Sequence, residues 1–320
     1  MSNDKIYDVI MVGAGPAALT AAIYTTREDI DTLLIERGVI GGLAAVTDII
    51  DNYPGFSQGV HGLDLADNLR VQAERFGAKI ELGEVTSIES NGKILKVKVD
   101  DKDLLAQAVL VATGCDYKKT GIPGEEQYYA RGVHYCATCD GAFYRDKRLA
   151  VIGGGNSALQ ETIFLTRFAS HIDLLVRSKI KASDILVKEL QTFIDSGKVS
   201  VHIGVSPQEI LGDEKGVKEI IGKTLDGKNQ NYVVDGVFIF IGLRPNTDFL
   251  RNSSIELNEQ GFLVTNANLE TNIPGVFVAG DVRSGATMQI ASAAGEGATA
   301  ALKIREYLEE KNRKIKSSTE

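Results

Sequence analysis

The chain has 320 residues, more than one hydrophobic core usually serves, so two domains are expected. With 43% hydrophobic and 24% charged residues it reads as an ordinary folded protein, neither disordered nor fibrous. The net charge of −8 and the scattered lysines and arginines leave no basic footprint for nucleic acid, and no apolar run is long enough to span a bilayer.

Asp4 stands before the first apolar run, no small-residue cleavage site follows, and the expected location is therefore cytoplasmic. Three cysteines cannot build a disulfide framework; in a reducing compartment the close pair Cys136 and Cys139 points to catalysis or metal binding. The 33 glycines cluster at 13–15, 41–42, 153–155 and 295–297, where a backbone can approach a bound cofactor closely.

Residues 5–12 form a β-rich apolar run, followed by the turn Gly13-Ala-Gly15-Pro-Ala-Ala18 and a helical stretch over 19–27. A second strand over 32–35 ends on Glu36, 23 residues beyond Gly13, where an acid can bind a ribose diol. Gly13 and Gly15 permit the tight turn and close pyrophosphate approach. Ala18 replaces the third glycine at the helix–strand contact, and the helix N-terminus favours phosphate charge.

The same grammar returns 140 residues later: a strand over 148–152, the turn Gly153-Gly-Gly155-Asn156-Ser157-Ala158 and a helix over 158–168. The next strand, 172–176, carries Val176 at the acidic position and Arg177 after it, so the carboxylate that would repel a 2′-phosphate is missing. One such turn is weak evidence; two, each between strand and helix, point to two dinucleotide sites. The second unit lies between Ala112-Thr113-Gly114 and the run 242–247, while the strand 275–279, ending in Gly280-Asp281, resumes the first pattern. The expected fold is α/β, with two nested Rossmann-like domains joined by a two-stranded hinge: residues 1–117 with 246–320, and 118–245. A final helix over 291–310 and a frayed tail are expected.

Cys136-Ala-Thr-Cys139-Asp140 lies just before the second turn. Half a zinc site is the alternative, but there is no second cysteine pair and there are only four histidines, so no metal is expected. Two intervening residues let the sulfurs meet at a helix start, where a thiolate is favoured, and Asp140 can relay protons or merely cap the helix. His134 is read as a surface or packing residue and Cys115 as a buried, inert thiol.

These motifs resemble those of low-molecular-weight thioredoxin reductases, from about Asp8 to Tyr307, with Gly41-Gly42 and Asn52-Tyr-Pro-Gly-Phe56 also in order. The resemblance implies FAD in the first domain, with Glu36 on the adenosine ribose and Asp281 on the ribitol. It places Gly41, Gly42, Leu43, Asn52, Val85, Ala112, Thr113, Gly114, Gly280, Gln289 and Ile290 around the same cofactor. It further implies that Cys139 faces the flavin, that Cys136 attacks a thioredoxin disulfide, that the second domain rotates, and that the chain forms a homodimer. NADPH would lie on Gly153, Gly155, Asn156, Ser157 and Ala158, with Arg177 and Lys181 at its 2′-phosphate.

Three positions depart from the family pattern. Leu175-Val-Arg177-Ser-Lys-Ile-Lys181 replaces His-Arg-Arg-x-x-x-Arg, Leu43 replaces a glutamine, and Met288-Gln289-Ile290 replaces Arg-Gln-Ala. The competing readings are the same dithiol chemistry driven by ferredoxin or NADH, and a flavin redox sensor without turnover. A flavin NADP–ferredoxin reductase is disfavoured because that group lacks the cysteine pair.

Overall fold

A computed structural model describes residues 5–47 and 49–317, side chains of 315–317 excepted; Asp4 and 318–320 lie outside the described residues. The chain separates into two compact units, unit 1 being residues 1–116 with 244–320 and unit 2 residues 117–243.

Unit 1 begins with β1 (Ile6–Val12), α1 (Pro16–Thr26) and β2 (Thr32–Glu36). There follow the short α2 (Gly42–Ala45), the paired β3 (Ile49–Ile50) and β4 (Val60–His61), and α3 (Gly62–Arg75). Next come β5 (Lys79–Leu82), β6 (Val85–Ser90), β7 (Leu95–Val99), β8 (Lys102–Val111) and β9 (Cys115–Tyr117), the last crossing into unit 2. The sheet runs β5-β2-β1-β8-β7-β6. Its parallel part sets Val12 opposite both Ile35 and Val111.

Period-two alternation divides the core into two layers. Val9, Met11, Leu34, Ala108 and Leu110 pack with α1, whereas Ile10, Val12, Leu33, Ile35, Val109 and Val111 pack on the opposite face with β6 and β7. Strands covered on both faces read as unbroken apolar runs, which is why β1 and β2 show so clearly in the sequence.

Unit 2 contains β10 (Val133–His134), α4 (Ala137–Asp140), a 3₁₀ turn (Gly141–Tyr144), β11 (Arg148–Ile152), α5 (Asn156–Leu165) and β12 (His171–Val176). It continues through α6 (Asp184–Asp195), β13 (Val199–Ile203), β14 (Ser206–Asp213), β15 (Gly216–Lys223), β16 (Asn229–Val233) and β17 (Gly236–Ile239). The order β10-β17-β11-β12-β13 is wholly parallel. Leu149, Val151 and Leu174 face α5 and α6; Ala150, Ile152 and Leu175 face the antiparallel sheet β14-β15-β16.

The chain leaves unit 2 along β18 (Leu243–Pro245), which pairs with β9, so the two crossings form a two-stranded connection. Unit 1 is completed by a short 3₁₀ turn (Asp248–Leu250), β19 (Val276–Val278), which joins β8 in parallel, and α7 (Ile290–Ser317). The last helix continues seven residues past its expected end at 310, the remainder of the tail expected to fray lying outside the described residues. It packs on α1 through small residues: a Cβ at Gly297 would stand 2.1 Å from the Ala17 carbonyl oxygen. Among the described residues no helix is long and apolar enough to cross a membrane.

Candidate active site

In unit 1 the turn after β1 is built by glycines with different duties. Gly13 has φ +100° and a Cβ there would lie 2.6 Å from the Ala112 carbonyl oxygen. Gly15 is extended, caps α1 ahead of Pro16, and its Cβ would meet nothing within 4 Å. The first glycine thus answers to the fold, and the second leaves open space over a helix N-terminus. Ala18 is fully buried in the layer beneath α1.

The Glu36 carboxylate accepts the Ala14 N–H at 2.7 Å and the Gly38 N–H at 2.7 Å. A carboxylate has about four acceptor sites, so two remain for a diol. Gly41 donates its N–H to the Ala14 carbonyl at 2.7 Å, and a Cβ on Gly42 would lie 3.8 Å from the Gly15 Cα. The second glycine pair is thereby seated against the first turn.

Ala112 bonds the end of β1 through its N–H to the Val12 carbonyl, and Thr113 and Gly114 are tied to Asn246 by three hydrogen bonds. Asn52 donates to Gln289 Oε1 at 3.1 Å, joining two predicted residues 237 positions apart, with Ile290 opening α7. Leu43 is exposed. The Val85 side chain packs in the core cluster that also holds Val97 and Val109, and the residue pairs with Val99 at the start of β6. Gly280 has φ +77° and donates its N–H to Glu296. Burial, and then the neighbouring Glu296, push the Asp281 carboxyl up to about 6. Cys115 is buried, and desolvation, followed by Asp281 and Asp116, raises its thiol to about 12, so it is inert at neutral pH.

Unit 2 repeats the turn. Gly153 has φ +150° and a Cβ there would collide with the Phe240 carbonyl oxygen at 2.4 Å, while Gly155 caps α5 with open space around it. Asn156 accepts the Ser183 N–H at 2.8 Å, Ser157 follows within α5, and Ala158 is fully buried. Lys181 donates its main-chain N–H to the Gly154 carbonyl. The side chains of Arg177 and Lys181 are exposed and neither makes an ion pair among the described residues.

Cys136 and Cys139 are joined as a disulfide, with Cα atoms 5.3 Å apart. Cys136 caps α4, and its Sγ accepts the Cys139 N–H at 3.2 Å and lies 3.4 Å from the Thr138 hydroxyl. Both donors would stabilise a thiolate on Cys136. Asp140 closes the helix, and its Oδ2 lies 3.2 Å from Nδ1 of His134. His134, 8% exposed, also bonds the Tyr144 hydroxyl through Nε2 at 2.7 Å and stacks on Phe238. The sequence reading made His134 a surface or packing residue; the pairing of β10 with β17 sets it against Phe238, and the 3₁₀ turn after α4 brings Tyr144 to it. Among the described residues no cluster of three or more histidine, cysteine or acidic side chains could hold a metal.

Residues 7–297 match the family described as pyridine nucleotide-disulphide oxidoreductase. The chain belongs to that family. A thioredoxin reductase of Bacillus subtilis is 41% identical over 99% of both chains, and one of Listeria innocua is 42% identical over 97% of this chain and 96% of its own. The crystal structure of a thioredoxin reductase from Streptococcus pyogenes covers 96% of this chain and all of its own, with TM-score 0.89 and 36% identity. Within this oxidoreductase family the glycine turns and the cysteine pair gain a common purpose: electrons pass between a nucleotide and a disulfide.

Proposed function

We propose that the protein is an FAD-dependent thioredoxin-disulfide reductase that takes electrons from NADPH. The observation that carries the proposal is the Cys136–Cys139 disulfide on α4, within a chain that has two strand-glycine-helix turns. What supports FAD in unit 1 is that Gly15 leaves an open cradle at the N-terminus of α1, Glu36 has free acceptor capacity, Gly41, Gly42, Ala112 and Thr113 lie against the same turn, and Gly280 lies against α1. When bound, FAD supplies a two-electron carrier between nicotinamide and disulfide.

The dithiol does the remaining chemistry. Once the pair is reduced, the Cys136 thiolate, held by the Cys139 N–H, attacks one sulfur of the thioredoxin disulfide and releases the other. The Cys139 thiolate then attacks Cys136 Sγ, frees the second thioredoxin thiol and restores the disulfide. Asp140, next in sequence, accepts and returns the proton.

Arg177 and Lys181 are exposed and make no ion pair among the described residues, and Val176 replaces an acid, which favours the 2′-phosphate of NADPH over NADH. Glu36 and Asp281, Gly153, Gly155, Asn156, Ser157 and Ala158 hold the two nucleotides in this reading. The family resemblance supports a cytoplasmic homodimer. The test is steady-state reduction of thioredoxin by catalytic enzyme, with stopped-flow flavin bleaching by NADPH, NADH and reduced ferredoxin in parallel. Sustained turnover with NADPH is expected. A single equivalent would favour a sensor, and bleaching by ferredoxin alone would replace the donor.

A further inference from the structure

We infer that His134 is a positioning residue for dithiol exchange, acting through Asp140 rather than touching either sulfur. The inference rests on the dithiol reading above. It starts from three contacts made by one buried ring within unit 2. Nε2 lies 2.7 Å from the Tyr144 hydroxyl, Nδ1 lies 3.2 Å from Asp140 Oδ2, and the ring stacks on Phe238 at 5.1 Å between centroids.

The tautomer follows from these partners. A lone pair on Nδ1 would face the lone pairs of the carboxylate and repel it, so the ring proton sits on Nδ1 and points at Asp140. Nε2 is then the acceptor and Tyr144 the donor. Burial, followed by Asp140 and Asp235, raises the Tyr144 phenol well above its ordinary range, so the hydroxyl keeps the proton it donates. Tyr144 thus orients His134, and His134 orients Asp140. Phe238 is fully buried and fixes the plane of the ring.

Asp140 needs such support because α4 has only four residues and its own N–H is already committed to the Cys136 carbonyl at 3.2 Å. During exchange the Cys136 thiolate and the Cys139 thiol give up two electrons and one proton, and the second proton the partner takes up, equal to the one lost when Cys136 ionised, comes from solvent. Cys136 Sγ bonds one partner sulfur as the partner S–S bond breaks, Cys139 Sγ then bonds Cys136 Sγ as the mixed disulfide breaks, and each departing partner sulfur takes up a proton. Asp140 accepts the Cys139 proton and delivers it to a departing sulfur. His134 keeps the carboxylate aimed for that transfer.

Packing and positioning make opposite predictions for two variants of the holoenzyme. His134→Phe preserves the ring and its stacking but removes both polar contacts; His134→Asn loses the stacking but keeps a donor close to the Nδ1 position. Two rates are read for each: flavin bleaching by NADPH, and reoxidation of the prereduced enzyme by thioredoxin. Flavin bleaching is expected to stay at the wild-type rate in both. Reoxidation should fall about tenfold or more in His134→Phe and stay within about threefold of wild type in His134→Asn.

Wild-type reoxidation by His134→Phe, or equal losses in the two variants, overturns the proposal. If His134→Phe does not accumulate as folded protein, Tyr144→Phe removes only the hydroxyl that pins the ring; slower reoxidation is expected and a wild-type rate overturns the proposal. Cys136→Ser separates the two levels. Turnover surviving that change would defeat the dithiol reading itself, whereas a dead Cys136→Ser beside an unaffected His134→Phe defeats only the role given to His134.

Discussion

Two glycines two residues apart should respond to the same substitution in opposite ways. In Gly13→Ala the new methyl stands 2.6 Å from the Ala112 carbonyl oxygen and the residue is held at φ +100°. The backbone conformation costs about 1–2 kcal/mol and the overlap about 1–3 kcal/mol, so roughly 2–5 kcal/mol of stability is lost. At about 2–4 °C per kcal/mol for a unit of this size, the melting temperature drops by about 4–20 °C. In Gly15→Ala the backbone is extended at φ −80° and the methyl meets no protein atom within 4 Å. Loss of unfolded-chain entropy roughly offsets the poorer helix cap, and stability changes by about 0.5 kcal/mol or less. The methyl does enter the space assigned to the pyrophosphate. Displacing one charge-assisted hydrogen bond costs about 1.5–3 kcal/mol and weakens FAD binding about ten- to a hundredfold. Thermal unfolding of the flavin-free proteins and FAD titration by flavin fluorescence give both quantities. If Gly15→Ala binds FAD normally, or melts as low as Gly13→Ala, the division between a fold glycine and a ligand glycine is wrong.

Cys136→Ser and Cys139→Ser should each abolish thioredoxin reduction, and Cys139→Ser should accumulate a mixed disulfide with thioredoxin on non-reducing gels because the resolving thiol is gone. Arg177→Ala and Lys181→Ala should each raise the Michaelis constant for NADPH by about tenfold or more while leaving NADH unchanged, and equal effects on both nucleotides would remove them from the 2′-phosphate clamp. Glu125, 2% exposed, accepts hydrogen bonds from the Thr120 hydroxyl at 2.6 Å and the Tyr135 hydroxyl at 2.5 Å. Burial raises its carboxyl, but the bonds from Thr120, Tyr135 and the Gly121 backbone prevail and leave it below the usual carboxylate range. A depressed folded value stabilises above the unfolded one and is lost as pH falls through it. Glu125→Gln should therefore cost about 1–3 kcal/mol at pH 7 and flatten the acid limb of the urea midpoint against pH; an unchanged acid limb would contradict the assignment.

The sequence displayed the parts of this fold whose signals are local. The β1 and β11 runs are buried on both faces, Gly13 and Gly153 need positive φ, and Cys136 and Cys139 are three residues apart. The helix after the first turn starts at Pro16 rather than residue 19, because proline at the first helical position lacks only an N–H that would be unpaired anyway. What the sequence concealed depends on distant partners. Asn52 meets Gln289 across 237 residues, and the β14-β15-β16 sheet has a mostly exposed face whose alternation was too weak to read alone. His134 offered no pattern at all, since its role is decided by Tyr144 ten residues on and by Phe238 on another strand. Residues 311–317, expected to fray, stay helical because α7 continues through a lysine-rich stretch once its earlier turns are docked on α1; 318–320 lie outside the described residues.

The nested connectivity also sets a timetable for biosynthesis. Unit 2 is one uninterrupted segment and can close as soon as Leu243 has left the ribosome. Unit 1 cannot. Its strand β19 begins 160 residues after Asp116, and α7, which covers the small-residue face of α1, comes later still. At about 5–20 residues per second, the first half of unit 1 waits roughly 8–30 s with the alanine-lined face of α1 unsheltered, while the dithiol unit is already complete. Within unit 1 the half that is made first is therefore the half left exposed, and it is sheltered only by segments made after the whole of unit 2.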